Sequence, residues 1–325
     1  VAPGLYLQKI DELELDLALL SSLGQPRLLR PLAARRFGTG DEQVETPDGG
    51  VSLSGYAQRL VAVRLSQPES KTLPADAPDD LPSLARMMRT AAFAVGLDVE
   101  VRVEPNLTAG AATGDRTVFL ADRRFGEREA LRLVVHEVLG HLTSAANART
   151  QPLRLLEWGT AGSFEDQEGL SLFFEADYGV LDRARMRTLG ARVLATDLMH
   201  HGASFGETAC ALHGEHGFTA EEAIALAERA YRGGGVARDV AYLRGYLRVR
   251  RALAEGQASL AELRMGRVGV TALPELRALA RYGLVRPAAY LRNLSRSFCS
   301  TSSGTMPCKS PPSAAASLIK VELTK

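Results

Sequence analysis

One short segment of the chain has residue types and a spacing that suit metal-dependent hydrolysis. In VVHEVLGHL, His136 and His141 lie on one predicted helix, and Glu137 follows the first histidine directly. Imidazole nitrogens bind zinc, and a carboxylate beside the first histidine is placed to accept a proton from water at the metal instead of binding the ion. The segment therefore predicts His136 and His141 as zinc ligands and Glu137 as the general base of a zinc hydrolase.

The spacing of the two histidines departs from the usual H-E-x-x-H pattern, because Gly140 occupies the position of the second histidine and His141 follows it. In a regular α-helix, residues five positions apart are rotated by about 140°, too far for both rings to reach one ion at about 2.1 Å. A π-helical turn would bring them onto one face, and Gly140 lowers its steric cost. The alternative is a chance pair in a buried apolar helix, which would leave Glu137 buried without a partner.

A catalytic zinc site keeps three protein ligands and an open position, so a third ligand must come from another segment. The next candidate is FEDQEGLSLFFEADYG, an acidic stretch that opens a predicted helix. Acidic side chains at a helix N-terminus also interact favourably with the helix dipole without binding any ligand, so this stretch alone leaves the third ligand open. Its glutamate and aspartate candidates are Glu165, Asp166, Glu168 and Glu175.

The segment AYLRGYLRVRR supplies two further candidates for substrate binding. The Tyr242 phenol could stabilise a tetrahedral oxyanion, and the Arg244 guanidinium could bind a terminal carboxylate. An amphipathic helix with a solvated arginine face explains the same residues without any catalytic role. Both interpretations stay open on the sequence alone.

Hydrophobic periodicity indicates the elements that position these residues. A half-exposed strand is predicted at 99–103 and a second strand at 117–121, and the two could form a hairpin. Three prolines in LPADAPDDLP interrupt any regular element and mark a joint. Helices are predicted around 10–20, 83–95, 127–148, 166–178, 182–200 and 219–232.

Four regions follow from these signals and from composition. We predict an N-terminal helical subdomain at 1–73, a proline-rich joint at 74–82 and a catalytic domain at 83–294. Residues 295–325 form a Ser-rich tail with little apolar periodicity, which predicts a disordered segment.

Charge and composition exclude several classes of protein. Lys and Arg number 39 and Asp and Glu number 38, a net charge of +1 that indicates neither nucleic-acid binding nor a polybasic membrane tether. No apolar run approaches the roughly 20 residues of a membrane helix, and the first residues lack a signal-peptide pattern, so we expect a cytoplasmic protein. Three cysteines provide no disulfide framework and no cysteine zinc cluster.

HEVLGH at 136–141 followed by QEGLS at 167–171 resembles the QEGLA-motif protein family, which includes the microtubule-associated tyrosine carboxypeptidases. The similarity extends over 99–294 and takes in VRVEPNLTAGAA, TSAANARTQPL, RAYRGGGVARDVAYLRGYLRV and ALARYGLVRP. The resemblance implies a zincin-like, mainly helical α+β metallopeptidase with a small sheet beside the HEVLGH helix. It implies one zinc ion per chain, bound by His136, His141 and Glu168, with Glu137 as general base. It further implies a carboxypeptidase that acts on the C-terminus of a peptide or protein.

Two features depart from that family. Ser171 stands where the motif has alanine, and no basic microtubule-binding extension is visible, which argues against tubulin as the substrate. The Arg-rich, Lys-poor body is typical of a bacterial relative. Two other functions stay open: a zinc amidohydrolase of small molecules, favoured by a deep closed pocket, and a non-catalytic zinc-stabilised scaffold, favoured by a fourth protein ligand.

Overall fold

Helices make up most of the protein, and short strands form small sheets beside them. The computed structural model describes residues 2–46, 48–63, 71–78, 81–232 and 237–294. The predicted class, mainly helical α+β, is confirmed. The helices are α1 (Ala2–Ser21), α2 (Pro26–Phe37), α3 (Leu53–Val61), α4 (Leu84–Ala94), α5 (Glu127–Val134), a π-helical segment (Val135–Leu142), α6 (Thr143–Arg149), α7 (Leu155–Trp158), α8 (Ser163–Asp177), α9 (Arg183–His200), α10 (Phe205–Gly214), α11 (Ala220–Tyr231), α12 (Val240–Ala254), α13 (Leu260–Leu263), a 3₁₀ turn (Val270–Ala272) and α14 (Leu273–Ala280).

The helix starts follow from side-chain caps that the sequence provides. The Ser83 and Asp182 side chains accept hydrogen bonds from backbone N–H groups in the first turns of α4 and α9. Thr219 and Glu222 form a capping box at the start of α11. Such caps satisfy backbone donors that have no partner within the helix, which explains why the helix predictions agree with the structure. Within the described ranges, no helix is both long and apolar enough for a membrane span.

The strands pair differently from the hairpin that the sequence suggested. They are β1 (Gln43–Thr46), β2 (Gly49–Ser52), β3 (Thr72–Pro74), β4 (Glu100–Glu104), β5 (Ala111–Thr113), β6 (Thr117–Ala121) and β7 (Arg124–Gly126). β4 and β6 run parallel, with Val101 opposite Val118, and β5 pairs antiparallel with the other edge of β6. The hairpin prediction is wrong because β5 lies between the two strands in sequence and takes the hairpin position next to β6.

The N-terminal residues pack into the same body as the predicted catalytic part. Leu53 and Ala57 of α3 share a buried cluster with Leu189 of α9. β3 pairs with β7, and β1 pairs with β2. Residues on both sides of the predicted joint at 74–82 therefore pack and pair with each other, and the division into four regions stays a prediction. The tail predicted at 295–325 lies outside the described residues.

Helix α8 lies between the π-helical segment and α12, and three glycines allow the close approach. A Cβ on Gly140 would lie 1.9 Å from Ser171 Oγ, and a Cβ on Gly169 would lie 2.3 Å from the backbone of Gly245. Neither contact leaves room for a side chain, because real Cβ atoms do not approach other atoms so closely. Both neighbours of α8 are therefore held against it at backbone distance.

Candidate active site

The π-helical segment brings the two histidines of HEVLGH onto one side of the helix. His136 and His141 both lie within Val135–Leu142, between α5 and α6. Their Nε2 atoms lie 3.2 Å apart. A regular α-helix would turn residues at this spacing away from each other, whereas the wider π turn aligns them. The predicted local widening of the helix is therefore confirmed.

Glu168 on α8 completes a triangle of donor atoms. Its Oε2 lies 3.4 Å from His136 Nε2 and 3.6 Å from His141 Nε2. This oxygen is buried and has no hydrogen-bond partner in the described structure. Ligand atoms bound tetrahedrally at about 2.0–2.2 Å from one ion lie about 3.3–3.6 Å apart. Two imidazole nitrogens and one carboxylate oxygen at these separations fit a zinc ion, and the three residues form a possible metal-binding group.

The charges at this triangle indicate a place for a cation. Burial alone would raise the pKa of Glu168, but the charge of His141 and the contact with His136 lower it well below its usual value. Burial alone would lower the pKa of His136, but its contacts with the Glu168 and Glu175 carboxylates raise it to about 9. A buried carboxylate that stays ionised needs a positive charge beside it, which a proton on the imidazoles or a metal ion can supply.

Glu175, seven residues further along α8, holds the other face of His136. Its Oε1 lies 2.7 Å from His136 Nδ1, and its side chain is fully buried. Arg185 donates to both carboxylate oxygens. Burial raises the pKa of Glu175, but the charge of Arg185 and the bond to His136 lower it to about 2. With Nδ1 bound to a carboxylate, Nε2 is left to face Glu168, the arrangement that commonly orients metal-binding histidines.

Glu137 lies in the same pocket but outside the triangle. Its side chain is buried, and its Oε2 accepts a hydrogen bond of 2.7 Å from Thr113 Oγ1. Thr113 is the last residue of β5, so the small sheet orients this carboxylate. No local pattern indicates the contacts that Thr113 and Glu175 make, because each partner lies far along the chain. The nearest available signal was the threonine in AGAATGD.

A cavity of about 430 Å³ contains the triangle and Glu137. One part of its wall is aromatic and another part is cationic, which suits a ligand with an apolar side chain and a negative charge. The aromatic lining residues are Trp158, Phe164 and Tyr242, and the cationic ones are Lys9, Arg36, Arg238 and Arg267.

The structure separates the two substrate-binding candidates, Tyr242 and Arg244. Tyr242 lines the cavity, and burial together with the charge of Glu168 raises its pKa to about 12, so its hydroxyl keeps its proton. Arg244 does not line the cavity. Its Nε donates to Glu165 at 2.8 Å, and its Nη1 is bound to Glu42. The predicted carboxylate-binding role for Arg244 therefore has no support in its contacts, because two carboxylates of the protein already occupy the guanidinium.

Comparison with known proteins identifies the family. No curated protein matches the chain. The family model described as microtubule-associated tyrosine carboxypeptidase matches residues 2–304, which includes every residue of the site. The predicted resemblance is confirmed over a longer range than the motifs covered, and it extends to the N-terminal helices that contribute Lys9 and Arg36 to the cavity. The chain belongs to the microtubule-associated tyrosine carboxypeptidase family.

Proposed function

We propose that the protein is a zinc-dependent carboxypeptidase that releases the last residue of a peptide or protein chain. The observation that carries this proposal is the triangle of donor atoms from His136, His141 and Glu168 inside a cavity that also holds Glu137. Membership of a carboxypeptidase family supports the reaction class. The donor set and its spacing support zinc as the cofactor.

His136, His141 and Glu168 would hold one zinc ion per chain. Zinc bound there supplies a Lewis acid that polarises a carbonyl and lowers the pKa of water. Glu175 keeps His136 in the orientation that this role requires, through its 2.7 Å contact with Nδ1. The three donors also favour a catalytic site over the scaffold alternative, since structural zinc sites are closed by four protein ligands and the described residues offer three here.

Glu137 would act as general base and then as general acid. Its carboxylate accepts the proton of the attacking water and passes it to the leaving amine, a role worth about 10²- to 10⁴-fold in rate. Thr113 holds Oε2 by a hydrogen bond, which leaves Oε1 for the transferred proton. Tyr242 keeps its hydroxyl proton and can donate a hydrogen bond to the oxyanion that forms at the scissile carbonyl.

The cavity wall supports a peptide substrate with a large apolar C-terminal side chain. Phe164 and Tyr242 meet edge to face, with ring centres 6.5 Å apart, and Trp158 adds a third ring that is largely exposed at the mouth. An aromatic or aliphatic side chain would bury apolar area against these rings. The family description names tyrosine, which suits the same wall.

A peptide panel tests the proposal. Zinc-loaded enzyme is offered peptides ending in Tyr, Phe, Leu or Lys, each with a free and an amidated C-terminus, and the products are identified by mass. Release of single residues from the free-acid peptides alone is the expected result. Internal cleavage, equal cleavage of the amides or no cleavage would contradict it.

The variant Glu137→Gln distinguishes a loss of catalysis from a loss of zinc binding. We expect it to retain zinc and lose about 10²- to 10⁴-fold in rate, because glutamine cannot accept the proton. Elemental analysis and the same peptide assay measure the two quantities. Loss of zinc from this variant would make Glu137 a ligand and would overturn the assigned roles.

A further inference from the structure

Four cationic side chains line the cavity, and three of them are already occupied by other groups of the protein. Their partners are Glu12 for Lys9, Asp16 for Arg36 and the backbone carbonyl of Glu157 for Arg267, at 2.6, 2.6 and 2.7 Å. Among the residues that the structure describes, Arg238 is the one cation of the cavity with neither a hydrogen bond nor an ion pair. Its charge is therefore available to a ligand.

The surroundings of Arg238 hold its guanidinium without a direct ion pair. The guanidinium carbon lies 5.1 Å from the centre of the Phe164 ring, a contact that leaves the N–H groups at its edge free. The neighbouring Asp239 is paired with Arg229, which donates hydrogen bonds to both of its carboxylate oxygens. Arg238 is thus a partly buried cation on the cavity wall that forms no hydrogen bond or ion pair with the described residues.

Arg238 also lies close to the proposed reacting groups. The Arg238 guanidinium lies 5.1 Å from the centre of the Phe164 ring, and that ring lies 6.5 Å from the ring of Tyr242, which lines the same cavity as the proposed zinc donors. The last residue of a peptide follows the scissile carbonyl directly, and adjacent residues are about 3.8 Å apart. A group that binds the terminal carboxylate must therefore share one small cavity with the donors, as Arg238 does.

We propose that Arg238 binds the C-terminal carboxylate of the substrate and so restricts the site to chains with a free C-terminus. The inference rests on the proposed function, because it names the residue that binds the C-terminal end of the peptide substrate. A planar guanidinium can bind both oxygens of a carboxylate at once, and such a charge-assisted contact is stronger than a neutral hydrogen bond. The ion pairs of Arg244 with Glu42 and Glu165 exclude it from this role.

Binding to an inactive enzyme tests this assignment independently of turnover. Zinc-loaded Glu137→Gln is titrated with two fluorescent peptides that end in Tyr, one as the free acid and one as the amide. We expect the free acid to bind about 10- to 100-fold more tightly, the range of a charge-assisted hydrogen-bonded pair. Adding Arg238→Gln should abolish this preference, and Arg238→Lys should restore part of it.

A matched control uses an arginine that has a partner and lies outside the cavity. Arg277→Ala in the same Glu137→Gln background should keep the preference for the free acid, because Arg277 is paired with Glu262 and does not line the cavity. Zinc content and melting temperature verify that each variant is folded and loaded. In enzyme with Glu137 intact, Arg238→Gln should raise KM for free-acid peptides more than it lowers kcat.

Each outcome decides between the two proposals. Equal affinity of Glu137→Gln for the free acid and the amide, or a preference that survives Arg238→Gln, would overturn the role of Arg238. If the enzyme with Glu137 intact released no residue while the Arg238-dependent preference persisted, the carboxypeptidase proposal would fail and the carboxylate-binding site would stand.

Discussion

Asp166 and Glu168 are two carboxylates of α8 that are almost equally buried but balanced in different ways. Asp166 accepts hydrogen bonds of 2.7 Å from Arg248 Nε and from the backbone N–H of Val270. Glu168 forms no ion pair with an arginine of the described chain, and its Oε2 faces two imidazoles without a hydrogen bond. The first carboxylate has its charge and lone pairs satisfied by the protein, whereas the second leaves a position for a cation.

The geometry of α8 explains this difference. Residues two positions apart on an α-helix are rotated by about 200°, so Asp166 and Glu168 point to opposite sides. One side packs against α12, which supplies Arg248, and the other packs against the π-helical segment, which supplies the histidines. A single helix therefore carries a structural ion pair and, two residues further along, the proposed metal-binding carboxylate.

Removing the arginine partner of Asp166 should give the largest effect, a decrease in the stability of the fold. Arg248→Ala leaves a buried carboxylate with a single backbone donor, so we expect a loss of about 3 kcal/mol in the free energy of unfolding. Denaturant unfolding measures it. Arg251→Ala, on the same helix with an exposed ion pair to Glu255, is the control and should leave the free energy of unfolding close to that of the wild type.

Zinc affinity of Arg248→Ala should stay within about twofold of wild type, because the arginine contacts no residue of the donor triangle. A variant that unfolds at the wild-type denaturant concentration but loses zinc would reverse the assignment of the two carboxylates.

Glu175→Gln should give an intermediate effect, a decrease in zinc affinity. The amide removes the charge that holds His136 Nδ1, so we expect zinc affinity to fall by about 10- to 100-fold. Competition with a chelator of known affinity measures it. Glu262→Gln, which breaks an ion pair with Arg277 elsewhere on the surface, is the matched control. Unchanged affinity in Glu175→Gln would show that the 2.7 Å contact does not support metal binding.

Ser171→Ala should give the smallest effect, although Ser171 lies beside the site. Its hydroxyl donates to the backbone carbonyl of Gln167 within α8, and such bonds contribute little to a helix. The alanine is the residue of the family motif, and it still fits against Gly140. We expect changes within about 1 kcal/mol in stability and about threefold in zinc affinity. A loss of zinc would make the hydroxyl part of the site.

Local patterns predicted the π-helical form of the HEVLGH segment, whereas they did not predict contacts between distant segments. The i, i+5 spacing of His136 and His141 required a π turn, and the structure contains one. Helix starts were predictable because their caps lie within three residues. The parallel pairing of β4 and β6 was not, because it depends on where the intervening β5 packs.

The same difference between local patterns and distant contacts applies to the two arginines proposed for substrate binding. Arg244 resembles a free cation in the sequence, but its partners Glu42 and Glu165 come from other elements. Nothing in the sequence distinguishes Arg238, because it differs from Arg244 in having no such partners among the described residues. Which arginine of this segment is neutralised depends on tertiary packing, and one sequence carries no direct signal for that.

Zinc content of two variants on α8 tests whether Glu168, and not its neighbour Asp166, binds the metal. Wild-type protein, Glu168→Gln and Asp166→Asn are purified alike, and bound zinc per chain is measured by elemental analysis. We predict about one zinc in the wild type and in Asp166→Asn, and a strong loss in Glu168→Gln, because an amide is a much poorer zinc ligand than a carboxylate. Full zinc in Glu168→Gln, or no zinc in the wild type, would contradict the proposed metal site.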